Sequence, residues 1–406
     1  MKPNIIHSIV VCLAAFALPF MVACGSQEES LPNHVTEAVL YLNIEPIGQT
    51  RADLAEQLPD NEKMKSVRVI VLHKDGTVEH NRHYPLEGAQ AQRTILLKVT
   101  PNEKKKIFLF ANEESVSTVK GVTAGGVTVE GENRTLTGFF ESYAEGHSGF
   151  EIAVNDLYFA PDYMEINPDG NLIPMSSMYE IDFPAKGNFD GTFYVVRAAT
   201  KFTFRFKNMR GGAVKVNGIS VSEIATDMYL MPHKRNLMME FEEEGGGKTE
   251  LPWIEWLKRV SDESQADPDN KELADKRGWI TDYAIPPTVG SEKATVSAPQ
   301  DFQVPAYTTD MGVPKPGTEV FPAFYLPESK HLKTQDDTYG EQTYTMTFDF
   351  TDEKSEHKTF DCPFNNLKAL FRNTNVVVDV TLGTDEGISV DVIPYSEVIL
   401  DPEFGL

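Results

Sequence analysis

The sequence predicts an all-β chain of two tandem β-sandwich domains, with a partly helical insertion in the second. Three observations predict it. Apolar and polar residues alternate in many short runs rich in Val, Ile, Phe and Tyr. Turn-forming clusters such as Lys74-Asp75-Gly76-Thr77 and Asn167-Pro168-Asp169-Gly170 separate the runs. The chain's 406 residues suffice for two domains once a leader is set aside.

Residues 1–23 are that leader. Lys2 precedes an apolar run, Ile9 to Val22, that is too short and too close to the N-terminus for an ordinary membrane span, and it reads as a secretory signal. It ends in Met21-Val22-Ala23-Cys24, followed by Gly25 and Ser26. Small residues before a cysteine are what a lipoprotein signal peptidase accepts, so the Cys24 thiol is expected to take a lipid and become the acylated N-terminus. The bland reading is a soluble secreted protein cut near Ala23. Cysteine usage favours lipidation. The chain has three cysteines: Cys12 leaves with the signal, and Cys362 stands alone. The mature chain therefore has no intramolecular disulfide. Its stability must come from a core, for which 41% hydrophobic residues are adequate.

The first strand is Glu37 to Glu45. Leu40, Leu42 and Ile44 share one face, and Val39, Tyr41 and Asn43 the other. Pro46 ends it. Ile47 to Lys65 is polar and reads as an exposed loop, where proteases cut. Arg51-Ala52 in that loop suits a trypsin-like enzyme, and Arg51 reads equally as one surface arginine among many. Ser66 to His73 is a strand. Tyr84 to Gln92 reads as a polar connection. Thr94 to Val99 is a strand. So is Lys106 to Asn112, whose near-continuous apolar character predicts burial on both faces. Short helices are expected near Glu113–Val119 and Leu136–Ala144. Pro161 to Pro174 is rich in loop signals, and a hairpin-like run follows from Ile173 to Phe183.

Gly187-Asn188-Phe189-Asp190-Gly191 is a glycine-rich turn, and the expected domains divide there, into 52–188 and 189–406. The leader with the first strand is 24–51. Thr192 to Phe206 reads as one long alternating strand. Val214 to Val221 and Met228 to Met231 follow. The pattern breaks from Glu240 to about Val304. Glu242-Glu243-Glu244-Gly245-Gly246-Gly247 reads as a linker, and Trp253 and Trp256 fall at helical spacing. Strands resume at Val320–Pro327, Gln342–Phe350, Val376–Leu382 and Ile388–Val392, with a last one at Ser396–Leu400.

Lys+Arg 37 against Asp+Glu 61 gives a net charge of −24. Such a chain does not track nucleic acid and is repelled by anionic lipid surfaces. No Gly-x-Ser-x-Gly, His-Glu-x-x-His or phosphate loop is present. His80 and His83 lack a third ligand nearby and read as part of a solvated turn. Asp267-Pro268-Asp269-Asn270 lacks the glycine and the later glutamate of a calcium loop. Trp253, Trp256 and Trp279 suit either a sugar-binding face or packing against the sheet. Cys362 has no basic neighbour and reads as an apolar residue. Neither catalysis, a cofactor nor a metal is expected.

Ser66–Leu72, Lys106–Asn112, Ile173-Pro174-Met175-Ser176, Val196-Arg197-Ala198-Ala199-Thr200-Lys201, Phe371-Arg372-Asn373-Thr374-Asn375 and the end, Leu400 to Leu406, occur in that order. Together they resemble the fimbrillin (Mfa-like) pilins of Bacteroidota over nearly the whole chain. The short acidic run Ser26–Ser30 resembles the surface-export signal of Bacteroidota lipoproteins, and reads otherwise as a solvated linker. Residues 240–304 match nothing in that family. The resemblance implies two transthyretin-like β-sandwiches and an outer-membrane lipoprotein precursor that ends in a fimbrium. It implies a trypsin-like protease that cuts after Arg51. The displaced strand would carry Val39, Leu40, Tyr41, Leu42 and Ile44. A C-terminal strand from another subunit, itself or a paralogue, would refill the groove. Ile388, Val390, Val392, Val398 and Leu400 are the candidate donor residues, and an ordinary intramolecular strand is their plain reading. The expected role is a structural pilin in adhesion, with a glycan or host surface as ligand. The alternative is a membrane-anchored binding module that never polymerises. A hydrolase would need a nucleophile or paired carboxylates, and none stands out.

Overall fold

The computed structural model describes residues 38–46, 58–121, 123–124, 127–128, 134–161, 172–185, 188–231, 238–242, 248–252, 292–298, 301–330, 344–364, 367, 369–370, 372–384 and 387–393. The fold is all-β. The main strands of its first part are β1 (Ala38–Pro46), β2 (Met64–Leu72), β3 (Val78–Gln90), β4 (Arg93–Val99), β5 (Lys104–Ala111), β6 (Met175–Asp182) and β7 (Asn188–Arg197). Those of its second part are β8 (Thr200–Asn208), β9 (Val214–Ile224), β10 (Glu292–Ser297), β11 (Gly317–Val320), β12 (Phe324–Leu326), β13 (Thr345–Thr351), β14 (His357–Pro363), β15 (Thr374–Leu382) and β16 (Ile388–Ile393). Two short helices, α1 (Leu136–Glu141) and α2 (Phe150–Asn155), lie between β5 and β6 in sequence.

Among the described residues, the first part forms a seven-stranded sheet in the order β3-β2-β5-β6-β7-β1-β4. It curls until its two end strands meet. His80 Nε2 on β3 lies 2.5 Å from the Lys98 carbonyl on β4, and the Thr100 amide donates to Glu79. One core lies inside the curl. Leu40, Leu42 and Ile44 pack there with Val67, Val69, Val71, Ile95, Leu97, Ile107, Leu109, Phe193 and Val195. A second core covers the other face of β2 and β5, where Ile70, Phe108 and Phe110 meet Phe139 and Phe140 of α1 and Phe150 of α2. The two-sided burial expected of the Lys106–Asn112 run is thus present.

The second part builds two sheets around a third core. One has the order β11-β8-β15-β16, with β12 also paired to β8. The other runs β10-β9-β13-β14. Phe202, Phe204 and Phe206 of β8 and Val376, Val378 and Val380 of β15 pack against Val216, Ile219, Phe348 and Phe350 of the facing sheet. Alternation with period two supplies the inward residues, and register shifts at Val216/Gly218 and Ser222/Ile224 change its phase on β9.

Several sequence expectations change. The run Thr192–Phe206 is two strands in two sheets, broken at Ala198–Ala199. The inward residues lie at odd positions on β7 (Phe193, Val195) and at even positions on β8 (Phe202, Phe204, Phe206), so the alternation changes phase across the break, with no glycine or proline to mark it. The Ala198 amide donates to the Pro174 carbonyl, and the Ala199 carbonyl accepts from the Asn373 amide. The division expected at 188/189 falls at the start of β7, and the chain changes sheet at Ala198–Ala199. Tyr84–Gln92 is largely the far end of β3, a polar end strand of the kind that discourages sheet-to-sheet pairing. The helix expected over Glu113–Val119 is a single 3-10 turn at Glu113–Ser115. Within 240–304 the described residues are β. Met238–Glu242 pairs with Lys248–Pro252, and β10 and Gln303–Val304 both pair with β9. Trp253, Trp256, Trp279 and Asp267–Asn270 lie outside the described residues.

Candidate functional site

The first strand is not at an edge. β1 runs parallel to β7, with Leu42 opposite Gly191, and antiparallel to β4, with Leu42 opposite Ile95. Both of its backbone edges are therefore paired. Leu40, Leu42 and Ile44 are fully buried, and Val39 and Tyr41 are half-buried on the outer face. At about 1.5–3 kcal/mol for each large apolar side chain, these three contribute roughly 5–9 kcal/mol. On the outer face, Asn43 joins both walls. Thr94 Oγ1 donates to Asn43 Oδ1 at 2.8 Å, and Asn43 Nδ2 donates to Asp190 Oδ1 at 3.3 Å. Glu45, beside Pro46, has its carboxyl pushed up by burial. Removal of β1 would leave a slot bounded by β4 and β7, with two unpaired backbone edges and an apolar floor. Such a slot invites a replacement strand.

The opposite end of the chain supplies a strand of contrasting placement. β16 pairs with β15, Val390 opposite Val380, and β15 is its one neighbour in the sheet order among the described residues. Ile388 and Val390 are half-buried and pack against the core. Val392 lies in the same strand, opposite Val378. The structure thus places Ile388, Val390 and Val392 together on one edge. Val398, Leu400, Cys24, Arg51 and Ala52 lie outside the described residues.

The sequence motifs singled out above converge elsewhere, where β7 passes into β8. Glu62 is buried there. Lys201 Nζ donates to its Oε1 at 2.8 Å and Tyr325 Oη at 2.6 Å, while Arg197 Nε donates to the Glu62 backbone carbonyl. Burial by itself would raise the Glu62 pKa. The charges of Arg197 and Lys201 and the two side-chain hydrogen bonds outweigh it and hold the carboxyl below its ordinary value. The Tyr325 phenol is pushed up by burial and by the Glu62 charge. Arg372 is fully buried and grips Glu328 with Nε at 2.8 Å and Nη2 at 3.1 Å. It also donates to the carbonyls of Leu230 and Tyr229. Asn373 adopts the left-handed conformation that asparagine tolerates. Ser176 Oγ donates to the Leu230 carbonyl, and Asn112 Nδ2 to that of Ile173. These residues hold elements together. Glu62, Glu328 and Asn43 had no signal in the sequence, since their partners are remote along the chain.

His80 and His83 sit on β3, not in a turn, and have different partners: His80 meets the Lys98 carbonyl, and His83 Nε2 lies 2.8 Å from Glu114. Two groups of His and Glu side chains come close to metal-ligand spacing, His73 with Glu79 and Glu103, and His83 with Glu113 and Glu114. Each already contains a protein cation. Buried Lys105 Nζ bonds Glu79 at 2.6 Å and Glu103 at 2.5 Å, and Arg68 clasps both oxygens of Glu113. The Cys362 thiol is half-buried, and burial pushes its pKa up, which makes it a poor nucleophile.

No family model matches the chain, and no curated protein matches its sequence. Solved structures do resemble it. The tip fimbrial protein Mfa3 of Porphyromonas gingivalis, solved with a C-terminal truncation, is similar with a TM-score of 0.50 at 9% identity, over 88% of this chain and 100% of that one. A protein of Parabacteroides distasonis provisionally assigned to cell adhesion is similar with a TM-score of 0.46 at 12% identity, over 89% of this chain and 98% of that one. A fimbrial assembly protein of the same species is similar with a TM-score of 0.40 at 10% identity, over 88% of this chain and 94% of that one. The Mfa3 likeness shows a shared fold.

Proposed function

We propose that the chain is a structural subunit of a cell-surface fimbrium, assembled by strand exchange and serving in adhesion. The placement of β1 carries this reading. A first strand inserted between β4 and β7 is one whose loss opens a complete slot, and a strand from another subunit restores what is lost. The fold shared with a tip fimbrial protein supports it, as do the lipoprotein-like leader and the sequence resemblance to fimbrillins.

In this reading the precursor travels as a lipoprotein held at the outer membrane by Cys24. A trypsin-like protease cuts between Arg51 and Ala52, in the connection that follows β1. The segment bearing Val39 to Ile44 departs, and a C-terminal strand of another subunit enters between β4 and β7. The donor candidates of this chain are the β16 residues together with Val398 and Leu400. The contact is head-to-tail and does not close, so it propagates as a filament.

The test is Arg51→Ala. The variant is expected to reach the surface, to stay uncut and to form no filaments by electron microscopy. Filaments built from the uncut variant would remove protease-triggered exchange as the mechanism.

A further inference from the structure

The inward face of β1 supplies affinity with little selectivity, because any strand with apolar residues at period two can fill it. The outer face is different. At the Asn43 position the walls present a hydroxyl donor, Thr94 Oγ1, and a carboxylate acceptor, Asp190. A neutral amide answers both. The neighbouring Tyr41 position also lies directly beside Asp190 in the register of β1 with β7. A carboxylate at either position would face another carboxylate across adjacent strands, which is destabilising.

The chain's own C-terminal segment meets this requirement badly. Its apolar residues can be laid into the places of Ile44 and Leu42 in either direction. With Val392 and Val390 there, running as β1 runs, Asp391 falls at the Asn43 position. With Leu400 and Val398, Glu397 falls at the Tyr41 position. Reversed, Ile388 and Val390 bring Asp391 to the Tyr41 position, Val390 and Val392 bring it to the Asn43 position, and Val398 and Leu400 bring Asp401 to the Tyr41 position. With Val390 and Ile388 in the direction of β1, the outer positions are neutral, and Glu386 is forced into the buried place of Leu40. Each of these arrangements sets an acidic residue against Asp190 or into the core.

We propose that Asp190 and Thr94 form a selectivity slot that rejects this chain's own C-terminal strand. The slot selects a strand from a different subunit, one carrying a neutral hydrogen-bonding residue (Asn, Gln, Ser or Thr) at the Asn43 position and no acid at the Tyr41 position. This rests on the strand-exchange reading above.

The experiment uses the full chain, cut in the 47–57 connection, and fluorescent peptides read by anisotropy at low salt. The peptides are the β1 sequence 37–46, the same with Asn43→Asp, and the sequence 384–402, which includes Glu386. The β1 peptide is expected to enter. Asn43→Asp should weaken entry about fivefold, and the 384–402 peptide should enter less well than β1. An Asp190→Asn chain should recover both. Equal entry of the wild-type and Asn43→Asp peptides, or entry of 384–402 as tight as that of β1, would overturn the slot and leave strand exchange standing. Failure of every peptide, the β1 sequence included, would overturn both.

Discussion

Arg372 shows what a single buried charge does in this molecule. Its guanidinium has no solvent exposure and donates hydrogen bonds to Glu328 and two backbone carbonyls. Arg372→Leu strands Glu328 in the interior, so urea denaturation should report a loss of about 3–5 kcal/mol. Glu62 makes a pH-dependent contribution. Its folded pKa lies below the ordinary 4.5, so its stabilising effect is complete above that value and is lost as pH falls below it. Glu62→Gln should therefore cost stability at pH 7, and the gap from wild type should narrow as pH is lowered below 4.5, measured as the urea midpoint. At this scale the sequence was half legible. Arg197 and Arg372 stand in motifs that were singled out, whereas Glu62 and Glu328 sit 135 and 44 positions from the partners that define them. Only the fold brings them together.

At the scale of elements, β1 was legible because strict alternation of apolar residues marks a strand buried on one face. Its interior position was not, since pairing with β7 joins residues far apart in the chain. β14 and the far end of β3 were invisible for a different reason: these two end segments carry mostly polar residues and so look like loops. The strand placements make two predictions. Leu42→Ala should cost the uncut chain about 2–5 kcal/mol in chemical denaturation. Under the proposed strand exchange it should leave the stability of filaments assembled from cut chain unchanged, because β1 would no longer be in them. Val390→Pro disturbs an end strand, so the uncut chain should keep its fold by circular dichroism. Under the proposed exchange a proline there would weaken the ladder that the strand builds in a recipient slot, so filaments should fail to extend by electron microscopy. Normal filaments from Val390→Pro would argue that β16 is an ordinary intramolecular strand.

At the scale of the whole molecule, fold class was the most legible property, because alternation and turn chemistry recur along the chain. The change of sheet at Ala198–Ala199 has no glycine or proline beside it, and its one mark in the sequence is the shift of alternation from odd to even positions. What remains central is whether β1 belongs to the finished protein. Four of its side chains sit in the core, so a chain without them must be refilled or lose that core. The most direct measurement is the N-terminus of the protein sheared from the cell surface, by mass spectrometry. The account predicts a chain beginning at Ala52, with acylated Cys24 confined to the membrane fraction. Sheared filaments whose subunits begin at acylated Cys24 and retain Val39 to Ile44 would contradict it.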